Sequence, residues 1–114
     1  MFTFEQFPVY QSAEKLYAEM LVEIHRIKVP NYLVDQITRS LSSIVLNIAE
    51  GAGKYSKKDK RSFYLIARGS CHESAAALTL LKHHGLDPKI SEVWYKELET
   101  ISKMLSGLIR SLEK

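Results

Sequence analysis

The chain predicts an all-α protein, an up-down-up-down antiparallel four-helix bundle formed as one domain over residues 1–114. Three observations predict it. Apolar residues recur at steps of three and four through four long segments, and nothing alternates with a period of two for long enough to make a sheet. The three prolines fall at or just beyond the ends of those segments, and Gly51, Gly53 and Gly85 mark two further ends. The connections are short, which makes consecutive helices antiparallel neighbours.

The first helix is expected over residues 8–28. Pro8 suits a first helical turn, where its missing N–H is no loss. Val9, Ala13, Leu16, Tyr17, Met20, Ile24 and Ile27 then share one face. Pro30 pushes Val29 out of the helical region and ends it. Met1–Phe7, rich in aromatics, reads as a short extended arm packed on the bundle. The second helix is expected over 32–53, with Asn31 as its cap. Its stripe is Leu33, Ile37, Leu41, Ile44 and Ile48, and Gly51 and Gly53 close it in the usual C-terminal manner. Ser56 and Asp59 make a variant capping box for the third helix, expected over 57–84. Its face runs through Phe63, Ile66, Ala67, Ser70, Ser74, Ala77, Leu78 and Leu81 to the stop at Gly85. Asp87-Pro88 or Ser91 opens the fourth, expected over 90–113. There Trp94, Leu98, Ile101, Leu105, Leu108 and Leu112 form a heptad-like stripe, with Met104 and Ile109 as a second edge.

Helix two carries Arg39, Ser43, Asn47 and Glu50 on one face. If the hairpin turns near Tyr55, these face Glu73, Arg68, Tyr64 and Arg61. That pairing describes a polar seam setting register between helices two and three or between subunits. The alternative is a solvated surface without fixed partners. Gly69, with Ala67, Ser70 and Ser74–Ala77 nearby, lies in mid-helix. Glycine there costs about 1 kcal/mol relative to alanine, which suggests a close contact that excludes a side chain, within the chain or between subunits.

The net charge is +3, but its distribution is uneven. Residues 1–53 sum to −2 and residues 73–114 to zero, whereas residues 54–72 hold six cations against one acid. Those cations are Lys54, Lys57, Lys58, Lys60, Arg61 and Arg68, interleaved with Tyr55, Phe63 and Tyr64. Cations with aromatics suit phosphate contacts and base stacking. The alternative is a solvated helix start.

No catalytic constellation is found. Gly51-Ala52-Gly53-Lys54 fails the phosphate-loop pattern, since Ile48 stands where its first glycine belongs and Tyr55 where Ser or Thr belongs. No Glu is followed by His three positions later, so the di-iron pattern of helical bundles is missing. His25, His72, His83 and His84 lack zinc spacing with Cys71. No metal or cofactor is therefore expected. Cys71 and His72 are neighbours on a helix and point about 100° apart, so a buried, inert Cys71 is the better reading. Being alone, Cys71 forms no intrachain disulfide, and a cytoplasmic location is the default. No apolar run reaches the roughly 18 to 20 residues of a membrane span, and MFTFEQF has no secretory pattern.

The run from Arg39-Ser40 through Ser43-Ile44, Asn47-Ile48-Ala49-Glu50-Gly51, Ser56-x-x-Asp59, Phe63-x-x-Ile66-Ala67-x-Gly69-Ser70 and Glu73 resembles the 23S ribosomal RNA intervening-sequence proteins. That bacterial family includes the accessory variability protein of diversity-generating retroelements. The match covers residues 39–85, and the flanks agree in helix pattern. The resemblance implies a homopentameric ring, no enzymatic activity and association with RNA or DNA. Retroelement members also bind a reverse transcriptase, though this chain is less basic than they are. The reading is a non-enzymatic oligomer that binds nucleic acid through the turn between helices two and three. The alternative is a protein-binding adaptor or scaffold, such as a reverse-transcriptase accessory subunit.

Overall fold

A computed structural model describes residues 1–113, which form a 3-10 turn and four α-helices. The turn spans Thr3–Gln6 and is followed by α1 (Pro8–Ile24), α2 (Asn31–Ala52), α3 (Lys57–Lys82) and α4 (Pro88–Ser111). Among the described residues there is no strand. Buried residues from all four helices join one apolar core, and the molecule measures 44 × 24 × 22 Å.

The arm is a turn rather than an extended segment. Phe4 meets Tyr10 edge-on with ring centroids 4.7 Å apart, while Phe2 stacks on Phe4. Helix α1 buries Val9, Ala13, Leu16, Met20 and Ile24. It ends at Ile24, four residues before the expected 28. Its last turn tightens, with the Arg26 N–H donating to Glu23 O and His25 Nδ1 lying 2.7 Å from Leu21 O. Asn31 is not the cap of α2. Pro30 holds that place with φ −57° and ψ 142°, and its carbonyl accepts from the Leu33 and Val34 N–H groups. Proline supplies the extended cap geometry without a side-chain bond.

Gly51 and Gly53 do not end α2 through a left-handed residue, since Gly53 has φ −84°. Gly51 is needed for space. A Cβ there would stand 2.7 Å from Tyr64 Cε1 and 3.2 Å from Phe63 Cβ. The Lys60 ammonium instead donates to Gly51 O and Ala52 O, at 3.4 and 3.0 Å, and satisfies the open carbonyls of α2. Left-handed geometry occurs at Gly85 (φ +99°), after which the Leu86 N–H reaches back to Leu81 O. Ser56 caps α3 by accepting from the Asp59 N–H, and Asp87 caps α4 by accepting from the Lys89 N–H.

The predicted core holds in α2 and shifts in α3 and α4. In α3 Tyr64 and Cys71 are buried, whereas Ile66 is half exposed and Phe63 only partly covered. In α4 the buried series runs Trp94, Leu98, Ile101, Leu105, Ile109, leaving Leu108 and Leu112 partly covered. An α-helix of 3.6 residues per turn drifts off a strict heptad, and by the last turn Ile109 has rotated inward.

The α2–α3 register is fixed by three contacts. Ser40 Oγ and Ser74 Oγ lie 2.7 Å apart in the core, Ser70 Oγ donates to Ser43 Oγ at 2.8 Å, and Gly51 abuts Tyr64. Residue numbers fall along one helix as they rise along the other, so the pair is antiparallel. These pairs sum to 113–115, about three residues beyond the predicted register. Most of a helical turn separates the two registers, which displaces every charge pairing of the expected seam. Arg39 and Glu73 are exposed and form no ion pair with each other among the described residues. Glu50 is exposed and turns to Lys54, at 3.6 Å. Asn47 donates to Ser43 O and Ser43 Oγ rather than meeting Tyr64. The seam is therefore one of hydroxyls and an amide, and of the expected structural residues it retains Asn47, Ser70 and, as a packing contact, Gly51. Gly69 is exposed with nothing within 4 Å of a Cβ, so it makes no close contact inside the chain.

Burial pushes the Cys71 thiol up to about 12 from its ordinary 9.0. Folding thus favours the protonated thiol. This contribution is constant below pH 9 and is lost as pH rises from 9 toward 12. At pH 8 the folded protein is expected to resist a thiol-selective disulfide reagent for far longer than the denaturant-unfolded chain. Rapid labelling of the folded protein would contradict the buried placement. Replacing Gly51 with Ala gains about 1 kcal/mol of helix propensity but overpacks against Tyr64 by about 1 to 3 kcal/mol. Denaturant titration is expected to show net destabilisation of about 1 kcal/mol, and a gain would show that the Tyr64 ring moves freely.

Candidate nucleic-acid interface

The basic segment forms one pole of the molecule. After α2, residues 53–56 turn sharply and Ser56 launches α3. Tyr55 at the tip of this turn is fully exposed. Lys57 and Lys58, in the first turn of α3, are exposed as well. Cations there oppose the helix dipole, at a cost of about 0.3 to 1 kcal/mol each. Asp59 in the same turn offsets part of this. Among the described residues the Lys58 ammonium has no hydrogen bond or ion pair.

The six cations do not form a uniform patch. Lys60 is turned back onto the end of α2 by its two carbonyl contacts. Lys54 sits 3.6 Å from Glu50 Oε2 and 5.1 Å from the centre of the Phe63 ring, a cation–π contact. Arg61 Nε and Nη2 both reach Glu113 Oε1 at 3.4 Å. Arg68, half-buried two turns beyond Arg61 on α3, donates from Nη1 to Ser106 Oγ at 3.2 Å. Among the described residues the pole holds Lys54, Lys57, Lys58, Lys60 and Arg61 against Glu50, Asp59 and Glu113, a net +2. Exposed ion pairs of this kind are worth about 0 to 1 kcal/mol, so Lys54 and Arg61 can exchange their carboxylates for a stronger anion. Lys60 and Arg68 serve the fold.

The aromatics divide in the same way. Tyr64 is buried against Gly51, and burial raises its phenol above the ordinary value. Phe63 is half covered beneath Lys54. Phe2, absent from the sequence-derived set, is exposed and lines a shallow groove with Leu46, Ala49, Gly53 and Lys54. Glu113 was also hidden from sequence reasoning, because 52 residues separate it from Arg61. No local pattern reports so distant a partner. Phe2 carries only the weak signal of an aromatic-rich N-terminus.

Elsewhere the surface has shallow clefts. One between α3 and α4 is lined by Cys71, His72, Tyr95, Glu99 and Lys103 among others. Among the described residues no group of three or more His, Cys, Asp or Glu side chains could hold a metal ion. Nor is any helix there long and apolar enough to cross a membrane.

A search of curated proteins finds no match. Among solved structures, a protein of unknown function from the S23 ribosomal protein family of Bacteroides thetaiotaomicron VPI-5482 superposes with a TM-score of 0.78. It is 24% identical over 89% of this chain and 97% of its own, and at that identity it shows a shared fold. The family model of the 23S rRNA-intervening sequence protein matches residues 5–107, and the chain belongs to that family.

Proposed function

We propose that this protein is a non-enzymatic, cytoplasmic nucleic-acid-binding protein that contacts RNA or DNA through the α2–α3 turn and works as a homo-oligomer. The observation that carries this reading is the exposure of Lys57 and Lys58 beside a fully exposed Tyr55, at a helix start where the lysines oppose the dipole. The Lys58 ammonium has no hydrogen bond or ion pair among the described residues and Tyr55 makes no ring contact there, while a polyanion gains from all three. The helices are read as up-down-up-down, supported by the antiparallel α2–α3 contacts and by Arg61–Glu113 and Arg68–Ser106 between α3 and α4.

Self-association has its own support. The outer face of α3 presents Ser62, Gly69 and Ala76 at intervals of seven, flanked by half-exposed Ile66 and Leu80. Small residues let a second helix approach closely, and Gly69 is otherwise an unexplained cost. The homopentamer implied by the family resemblance would use such a face and multiply the weak +2 pole. The same face also favours the second reading, an adaptor that docks a protein such as a reverse transcriptase.

Fluorescence anisotropy with labelled RNA tests the first reading. Binding is expected to weaken steeply between about 50 and 200 mM salt, and Lys57→Glu with Lys58→Glu to weaken it at least tenfold at the lower salt. Lys58→Glu alone should raise folding stability by about 0.3 to 1 kcal/mol, since an acid suits the first helical turn. Salt-insensitive binding, or full affinity in the double variant, would move the contact elsewhere. Light scattering tests assembly. The native protein should exceed monomer mass at micromolar concentration, and Gly69→Trp, at an exposed position where an added Cβ meets nothing within 4 Å in the single chain, should keep its helicity and fall to a monomer. A native monomer would sink the ring.

A further inference from the structure

We propose that the turn pole takes single-stranded nucleic acid, with an unpaired base stacked on Tyr55 and the neighbouring phosphates held by Lys57 and Lys58. This deepens the nucleic-acid reading above and rests on it.

Tyr55 is the most exposed ring among the described residues and, unlike the exposed Tyr32 at the far end of α2, it stands beside the exposed cations. Tyr64 and Trp94 are buried, Phe63 lies under the Lys54 ammonium, and Phe4 and Tyr10 pack on each other. Tyr55 is fully exposed and makes no ring contact among the described residues. Both faces of its ring are open to a planar group. Lys57 and Lys58 follow it by two and three residues, within about 7 to 11 Å of chain even if fully extended. A base on the ring would therefore leave its own phosphates within reach of both ammonium groups. Phe2 adds a second exposed ring beside Lys54 at the same pole.

The shape and charge of the pole disfavour a duplex. Its bases are already stacked inside the helix and offer Tyr55 no open face. Duplex RNA is read by surfaces that track successive grooves and the phosphates between them. Here the exposed cations sit within one helical turn on the tip of a tight turn, and the molecule is only 22 to 24 Å across. Arg68, the next cation along α3, is half-buried and held by Ser106, so no basic stripe continues from the tip. A small cationic cluster around an open ring is the arrangement that suits a flexible strand with splayed bases.

Anisotropy with three labelled probes of about 12 units tests this: oligouridylate, oligothymidylate and a mixed-sequence RNA duplex. The native protein is expected to bind one or both single strands at least about tenfold more tightly than the duplex. Preference between the two strands assigns RNA or DNA. Tyr55→Ala should weaken the single strands by about 5- to 150-fold, the range of one stacked base, and so erase the preference. Tyr55→Trp should keep it, with indole emission quenched on binding. Because Tyr55 touches no core residue, circular dichroism of both variants should match the native chain. Equal affinity for all three probes, or an undiminished single-strand affinity in Tyr55→Ala, would overturn the stacking site while leaving nucleic-acid binding in place. Failure to bind any probe would remove both.

Discussion

The contact of Gly51 with Tyr64 sets the geometry on which the rest of the molecule depends. It lets the last turn of α2 lie directly on the Tyr64 ring and the Phe63 Cβ of α3. Farther along the same pair, Ser40 meets Ser74 and Ser43 meets Ser70. Small residues at these crossings bring the helices together, and the hydroxyls satisfy each other where water is excluded. A slip of one residue would rotate Tyr64 out of its slot and part the buried Ser74 hydroxyl from Ser40. Both outcomes are costly, so the register is narrowly defined.

That register also decides what the cations can do. With α2 ending at Ala52, Lys60 comes under its open carbonyls and is consumed as a cap. Arg61 and Arg68 face α4 and find Glu113 and Ser106. Lys57 and Lys58 remain exposed on the tip with Tyr55. A cluster of six charges in the sequence becomes a smaller and more local feature in space, where charge and aromatic surface coincide at the turn. In a single chain of this 23S rRNA-intervening sequence protein family member, the pole carries only a small net charge.

The sequence was most informative where physics is local. Apolar spacing located four helices, and Ser56 and Asp87 marked two starts because a short side chain reaches N–H groups only two or three residues ahead. Local reasoning did not separate the glycines. Gly51 looked like a helix terminator and proved to be a packing site, while Gly69, read as a close contact within the chain or between subunits, makes none inside the chain. Both lie within helices, so propensity treats them alike, and only the neighbouring helix distinguishes them.

Composition, periodicity and capping residues thus determined an all-α chain of four helices with a basic turn between the second and third. The tertiary structure alone decided the register between α2 and α3, and with it which charges are partnered. Helix positions follow from interactions spanning three or four residues, which a sequence displays directly. The partners of Lys60, Arg61 and Arg68 depend on how far one helix has slid along another. A shift of three residues leaves the helical pattern of each segment unchanged and exchanges every contact between them.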